Sequence, residues 1–147
     1  MQSVRLSLLG CAVFLTLAAC AQPQPPLQFD HAVIRQAAPG MDKSVAYVTL
    51  VNHTNAPIVL TQASSPVAGA IEFHESREVD GLMRMRRLTD LPIPAGESVQ
   101  LQPGGKHLML FRLAPLQVGQ TAQVTFTDAA DQVYTHEFVV VPLAYQP

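Results

Sequence analysis

The chain has 147 residues, 48% of them hydrophobic and 14% charged, with a formal net charge of -2. That is enough chain for one domain with its own apolar core, and too apolar a composition for disorder. The basic excess of a nucleic-acid binder is absent. Both cysteines, Cys11 and Cys20, fall among the first twenty residues, so the rest of the chain has no thiol.

Met1–Arg5 is a short polar start with one positive charge, and Leu6–Leu17 is almost wholly apolar. The run has the length of a secretory h-region and is too short for a membrane span. It ends in Leu17-Ala18-Ala19-Cys20, which resembles the bacterial lipobox. The resemblance implies that residues 1–19 are a lipoprotein signal peptide and that Cys20 becomes lipidated, which tethers a protein without spanning the membrane. The competing reading is an ordinary cleaved signal peptide with an incidental cysteine. The lipobox implies the periplasm, and Ala21, standing where an inner-membrane retention signal has aspartate, favours the outer membrane. Residues 20–28, with Ala21–Leu27 reading AQPQPPL, are expected to be an extended spacer, and residues 29–147 the domain.

Within that domain the dominant hydrophobic period is two. Ser44–Val51 is β-branched and aromatic and runs into the turn cluster Asn52-His53-Thr54-Asn55. Pro57–Ser64 follows as a second strand. Ala70–His74 alternates, with Ile71 and Phe73 on one face and Glu72 and His74 on the other. Asp80-Gly81 signals a hairpin into Leu82–Leu88. Ser98–Leu101, Lys106–Leu113, Gln120–Thr127 and Val133–Val140 complete the series. Short strands punctuated this often predict an all-β Greek-key sandwich or barrel.

Five histidines and five methionines are present, and some share strand faces. Alternation puts His107 and Met109 on one face of their strand and Leu108 and Leu110 on the other. His74 falls on the face away from Ile71 and Phe73, with Met83 and Met85 across the hairpin. Two imidazoles and two thioethers form a neutral, soft donor set, weak for zinc, calcium or magnesium and suited to Cu(I). A cupredoxin electron-transfer site needs a cysteine ligand, which the domain lacks.

His74, ten residues, Met85, twenty-one residues, then His107-Leu108-Met109 matches the H-x10-M-x21-H-x-M pattern of the periplasmic PCu(A)C-type copper chaperones. The similarity runs from about Ala46 to Val141. It includes Phe73-His74-Glu75, Asp80-Gly81-Leu82-Met83-Arg84-Met85 and Pro103-Gly104-Gly105-Lys106-His107-Leu108-Met109. The resemblance implies a cupredoxin-like fold, Cu(I) as cargo, ligands His74, Met85, His107 and Met109, and delivery to the CuA centre of cytochrome c oxidase subunit II. It differs at the end of the chain, where Val141–Pro147 carries none of the histidines and methionines of some members' tails.

Met83 is read as an auxiliary thioether or a strand-edge residue, with neither favoured. His31, His53 and His136 are read as surface residues, and Met41 as structural or exposed. Arg84, Arg86 and Arg87 read most simply as a solvated strand face, with docking of an acidic partner as the sharper alternative. No nucleophile–base pair is visible, so an enzyme is not expected. A monomer is expected. Besides a chaperone, copper storage for tolerance and a metal-free structural β-sandwich lipoprotein are the competing readings.

Overall fold

The computed structural model describes residues 24–146, so the segment read as signal peptide, Cys20 and the first part of the spacer lie outside the described residues. Ten strands and no helix occur among the described residues: β1 Leu27–Arg35, β2 Lys43–Asn52, β3 Ile58–Ser65, β4 Ala68–Val79, β5 Leu82–Arg87, β6 Leu91–Ile93, β7 Ser98–Leu101, β8 Lys106–Leu113, β9 Thr121–Asp128 and β10 Val133–Val141. Seven of them close a barrel in the order β4-β8-β2-β1-β10-β9-β3, with β3 pairing back onto β4. β5, β6 and β7 extend β4, β3 and β2 respectively. Only β1 and β10 run parallel; the other pairs are antiparallel.

The all-β architecture is the one that period-two alternation predicts, and the closed barrel is the form it takes. Two strands lie outside the predicted series. β1 opens at Leu27, so Leu27 and Gln28 belong to the barrel and not to the spacer; Leu27 is buried and both residues pair with β2. Its alternation breaks at a bulge between Asp30 and Val33, where His31 takes a positive φ of 54°, and this break hides the strand from a period-two reading. β6 is three residues long with Pro92 at its centre, tolerated because β6 pairs on one side only, with β3. Leu91 and Ile93 on either side of Pro92 are fully buried.

Ile71 and Phe73 of β4 and Leu108 and Leu110 of β8 turn into the barrel. There Phe126 packs against Phe29, Phe73 and Phe138 at ring-centroid distances of 5.4, 6.4 and 6.3 Å. Every other residue of these two strands therefore faces outward. β4 also changes partner along its length. β3 pairs with it at Ala68 and Ile71, whereas β5 pairs with it from His74 onward. Past Glu75, where pairing with β8 ends, β4 and β5 leave the barrel as a two-stranded ribbon. Asp80 and Gly81 close it with positive φ at both positions, the signature of a type I′ turn.

Candidate metal centre

The outward residues at this seam include the expected donors. Strand register sets His74 of β4 directly opposite His107 of β8, with ring centroids 6.0 Å apart. His107 lies on the outward face, yet it is only 6% exposed, so outward placement on the strand does not mean contact with solvent. Its cover comes from the ribbon: Met85 Sδ lies 3.2 Å from His107 Nε2. Met85 belongs to β5, two strands away, and its register partner is Ser76, not His74. Ser76 in turn bonds to Gly105, and two such small residues leave the row between Met85 and β8 open for the thioether.

The Gly105 carbonyl decides which nitrogen of His107 is free. It accepts from the Ser76 amide at 2.9 Å and lies 3.1 Å from His107 Nδ1. A carbonyl only accepts, so Nδ1 carries the proton, and in the neutral ring Nε2 is bare. Nε2 thus faces a thioether that also has lone pairs and no proton. Burial pushes the imidazole below its ordinary value of 6.5; the bond to Gly105 opposes this, and the nearby His74 adds to it. The neutral form is the one that can bind a metal.

His74 is held differently. Its Nε2 lies 2.8 Å from Glu72 Oε2, while its Nδ1 is buried without a partner. Phe111 flanks the ring at 6.2 Å. Met109 shares the outward face of His107, paired with Glu72 on one side and Val45 on the other. It is half-buried and lines a groove together with exposed Met41 from the turn before β2. Met83 lies nearer the ribbon tip, opposite Glu78 and 62% exposed. The fold therefore brings His74, His107 and Met85 together, sets Met109 on the same face, and leaves Met83 toward the tip.

The orphaned His74 Nδ1 and the bare His107 Nε2 beside a thioether fit a soft metal ion. Among the described residues, no group of three or more His, Cys, Asp or Glu is arranged to hold a metal.

The remaining histidines lie elsewhere. His53 bonds to Gln28 at 2.7 Å, and His136 stacks on Phe29 at 5.0 Å. The arginines of β5 are all exposed, as a solvated strand face would be, and two of them also form surface ion pairs, Arg86 with Glu75 at 2.9 Å and Arg87 with Glu72 at 3.3 Å. Two residues that shape the site had no assigned role in the sequence, Glu72 and Gly105. Glu72 carried a usable signal, an acid two residues from a histidine on one strand face. Gly105 read only as part of a turn.

The family model described as "Putative lipoprotein LpqE-like" matches residues 27–140. A protein of Leifsonia xyli subsp. xyli named "Putative lipoprotein Lxx21020" is 33% identical over 135 residues, covering 87% of this chain and 80% of that protein. Among solved structures, the Cu(I) form of DR1885 from Deinococcus radiodurans is 30% identical, with a TM-score of 0.66 over 83% of this chain and 82% of that one. The copper-bound PCuAC domain of PmoF2 has a TM-score of 0.67 at 20% identity, over 82% of this chain and 97% of that domain. At that identity the PmoF2 likeness shows the fold alone, and the fold is the cupredoxin-like one of PCuAC domains.

Proposed function

The chain belongs to the LpqE-like family, and from that membership and its donor cluster we propose that it is a copper-binding protein of the cell envelope. It carries Cu(I) as cargo on His74, Met85, His107 and Met109, with Met83 as a candidate auxiliary donor. The observation that carries this reading is the approach of His107 Nε2 to Met85 Sδ at 3.2 Å, with no proton for either to share. Two lone-pair groups gain nothing from facing each other unless a cation joins them. Imidazole and thioether donors select a soft monovalent ion over zinc or magnesium. The relative from Deinococcus radiodurans, solved in a Cu(I) form, supports the same cargo.

The role that suits this donor set is a metallochaperone, not an enzyme. Neutral ligands hold the ion without a thiolate, so a partner's thiolate can displace them one at a time. Met85, the exposed donor, is the natural first to leave. The proposed recipient is the CuA site of cytochrome c oxidase subunit II, a choice that rests on the resemblance to PCu(A)C-type chaperones. A lipid on Cys20 would hold the domain on the periplasmic side of a membrane, the outer membrane being favoured; the lipoprotein name of the Leifsonia relative supports an envelope tether.

Cu(I) titration of the purified protein, followed by mixing with the apo copper-binding fragment of subunit II, tests the reading. One bound Cu(I) that zinc does not displace, passing to the fragment, is the expected result. Displacement by equimolar zinc would remove the thioethers from the site. Copper that stays on the protein would mark storage in place of delivery.

A further inference from the structure

We propose that Glu72 is a positioning residue that commits His74 to ligate copper through Nδ1, so that the two imidazoles of the site use opposite nitrogens. The inference rests on the copper-site reading above. Glu72 and His74 stand two residues apart on β4, on the same outward face, and His74 Nε2 lies 2.8 Å from Glu72 Oε2. An ionised carboxylate has no proton to donate, so His74 Nε2–H is the donor, and in the neutral ring Nδ1 is left bare. That bare nitrogen is the one found buried without a partner. A polar atom withdrawn from water with nothing opposite it is unfavourable, and a metal ion supplies the missing partner.

Glu72 is itself held in place. Its second oxygen, Oε1, lies 3.3 Å from Arg87 Nη1, and Arg87 is the register partner of His74 in the β4–β5 ribbon. Arg87 is largely exposed, so this outer ion pair contributes little energy by itself; it orients the carboxylate. A carboxylate on the far nitrogen of a metal-binding histidine fixes tautomer and ring orientation and makes the ligating nitrogen more basic. His107 is fixed by the opposite device, a backbone carbonyl on Nδ1 that frees Nε2. The same two-stranded register thus presents one imidazole by each of its nitrogens.

Long-range 1H–15N NMR of the ring nitrogens in the full-length protein in detergent tests this without relying on copper transfer. In the apo protein His74 should show the Nε2–H tautomer and His107 the Nδ1–H tautomer. Cu(I) should then shift Nδ1 of His74 and Nε2 of His107. Glu72→Leu should mix the His74 tautomers and weaken Cu(I) binding about tenfold, the lower end for loss of such a partner. Glu72→Gln, whose amide oxygen still accepts, should keep the tautomer and lose less. An Nδ1–H tautomer of apo His74, a copper shift at its Nε2, or a Glu72→Leu protein unchanged in both readouts would overturn the proposal. So would a Glu72→Gln protein that keeps the tautomer yet loses as much affinity as Glu72→Leu, since holding the tautomer would then not be what Glu72 contributes. If the leucine variant does not fold, the apo tautomer of the unaltered protein still decides. Copper that shifts neither ring defeats the site reading itself, whereas a wrong tautomer with both rings shifted defeats only the role of Glu72.

Discussion

Replacing Met85 by leucine separates the two things this side chain does, covering His107 and offering a donor. Met85 is 54% exposed and sits on a ribbon strand with a neighbour on one side only. Leucine nearly conserves its volume, so the apo protein should lose less than about 1 kcal/mol of stability. The sulfur 3.2 Å from His107 Nε2, however, becomes a hydrocarbon with no lone pair. Loss of partners in the outer shell of a metal site costs roughly 10–100-fold in affinity, and a direct donor belongs at the upper end of that range. The expected drop in Cu(I) affinity is therefore about 100-fold, or about 2.7 kcal/mol. Competition with a chromogenic Cu(I) chelator measures the first quantity and urea melts of the apo protein the second. Zinc affinity serves as the internal control and should change by less than about threefold, because a thioether contributes little to zinc. Copper affinity within about threefold of the parent would place Met85 outside the site, whatever its distance from His107.

Three further outcomes follow from the same structure. The folded His107 titrates below the 6.5 of the unfolded chain, so the unfolded state takes up its proton first. Apo stability should be full above that value and fall as pH drops through it; urea midpoints between about pH 8 and about pH 5 should show the slope, and His107→Gln should flatten it. Asn52 is fully buried, its amide donating to the carbonyls of Ala56, Ile93 and Pro94 while its Oδ1 accepts from Thr54. Asn52→Ala should cost about 3 kcal/mol by orphaning these groups, and a loss below about 1 kcal/mol in urea melts would be the contrary result. Gly81→Val forces a β-branched residue into φ near 76° and should open the ribbon locally at a cost of about 1–2 kcal/mol. Hydrogen exchange should then quicken in β5 but not in β9 or β10; uniform loss of protection would show that the ribbon is not an independent unit.

The barrel strands were legible where both of their faces obeyed one rule. β2, β4, β8, β9 and β10 alternate over most of their length, and their interior rows are mainly apolar, with buried Ser44 and Asn52 in β2, buried Asp128 in β9 and a break at Arg112 of β8 as the exceptions. β1 was not legible because its bulge at His31 shifts the pattern by half a period, and β6 because three residues around a proline carry no period. At the site, alternation placed His74, His107 and Met109 on one outward face. It could not show that His107 is buried, since its cover comes from Met85, two strands distant. Nor could it show the tautomers, which depend on Gly105 and Glu72. Burial of His107 also changes what its removal should do. Outward placement alone predicts almost no effect of His107→Ala on folding, whereas a side chain 6% exposed leaves a gap beneath Met85 and should cost about 1–2 kcal/mol.

Under the proposed function, the change of partner along β4 lets a stiff barrel carry a site suited to handover. Three of the four proposed donors sit on β4 and β8, whose alternate residues, Phe73, Leu108 and Leu110, are locked in the core, so neither strand can move its imidazole without disturbing the barrel. The fourth comes from β5, every residue of which is exposed and which pairs with β4 alone. Under the proposed function, binding orders mainly the ribbon side chain, because the histidines are already oriented by Gly105 and Glu72. Release can begin with Met85 for the same reason. A partner approaching the ribbon would meet the exposed thioether first and the two-stranded edge beside it, while the copper would stay on the two imidazoles until the incoming ligand is in place. Had β3 stayed paired along the whole of β4, Met85 would have no strand to stand on. The imidazoles would then face solvent with no thioether above them.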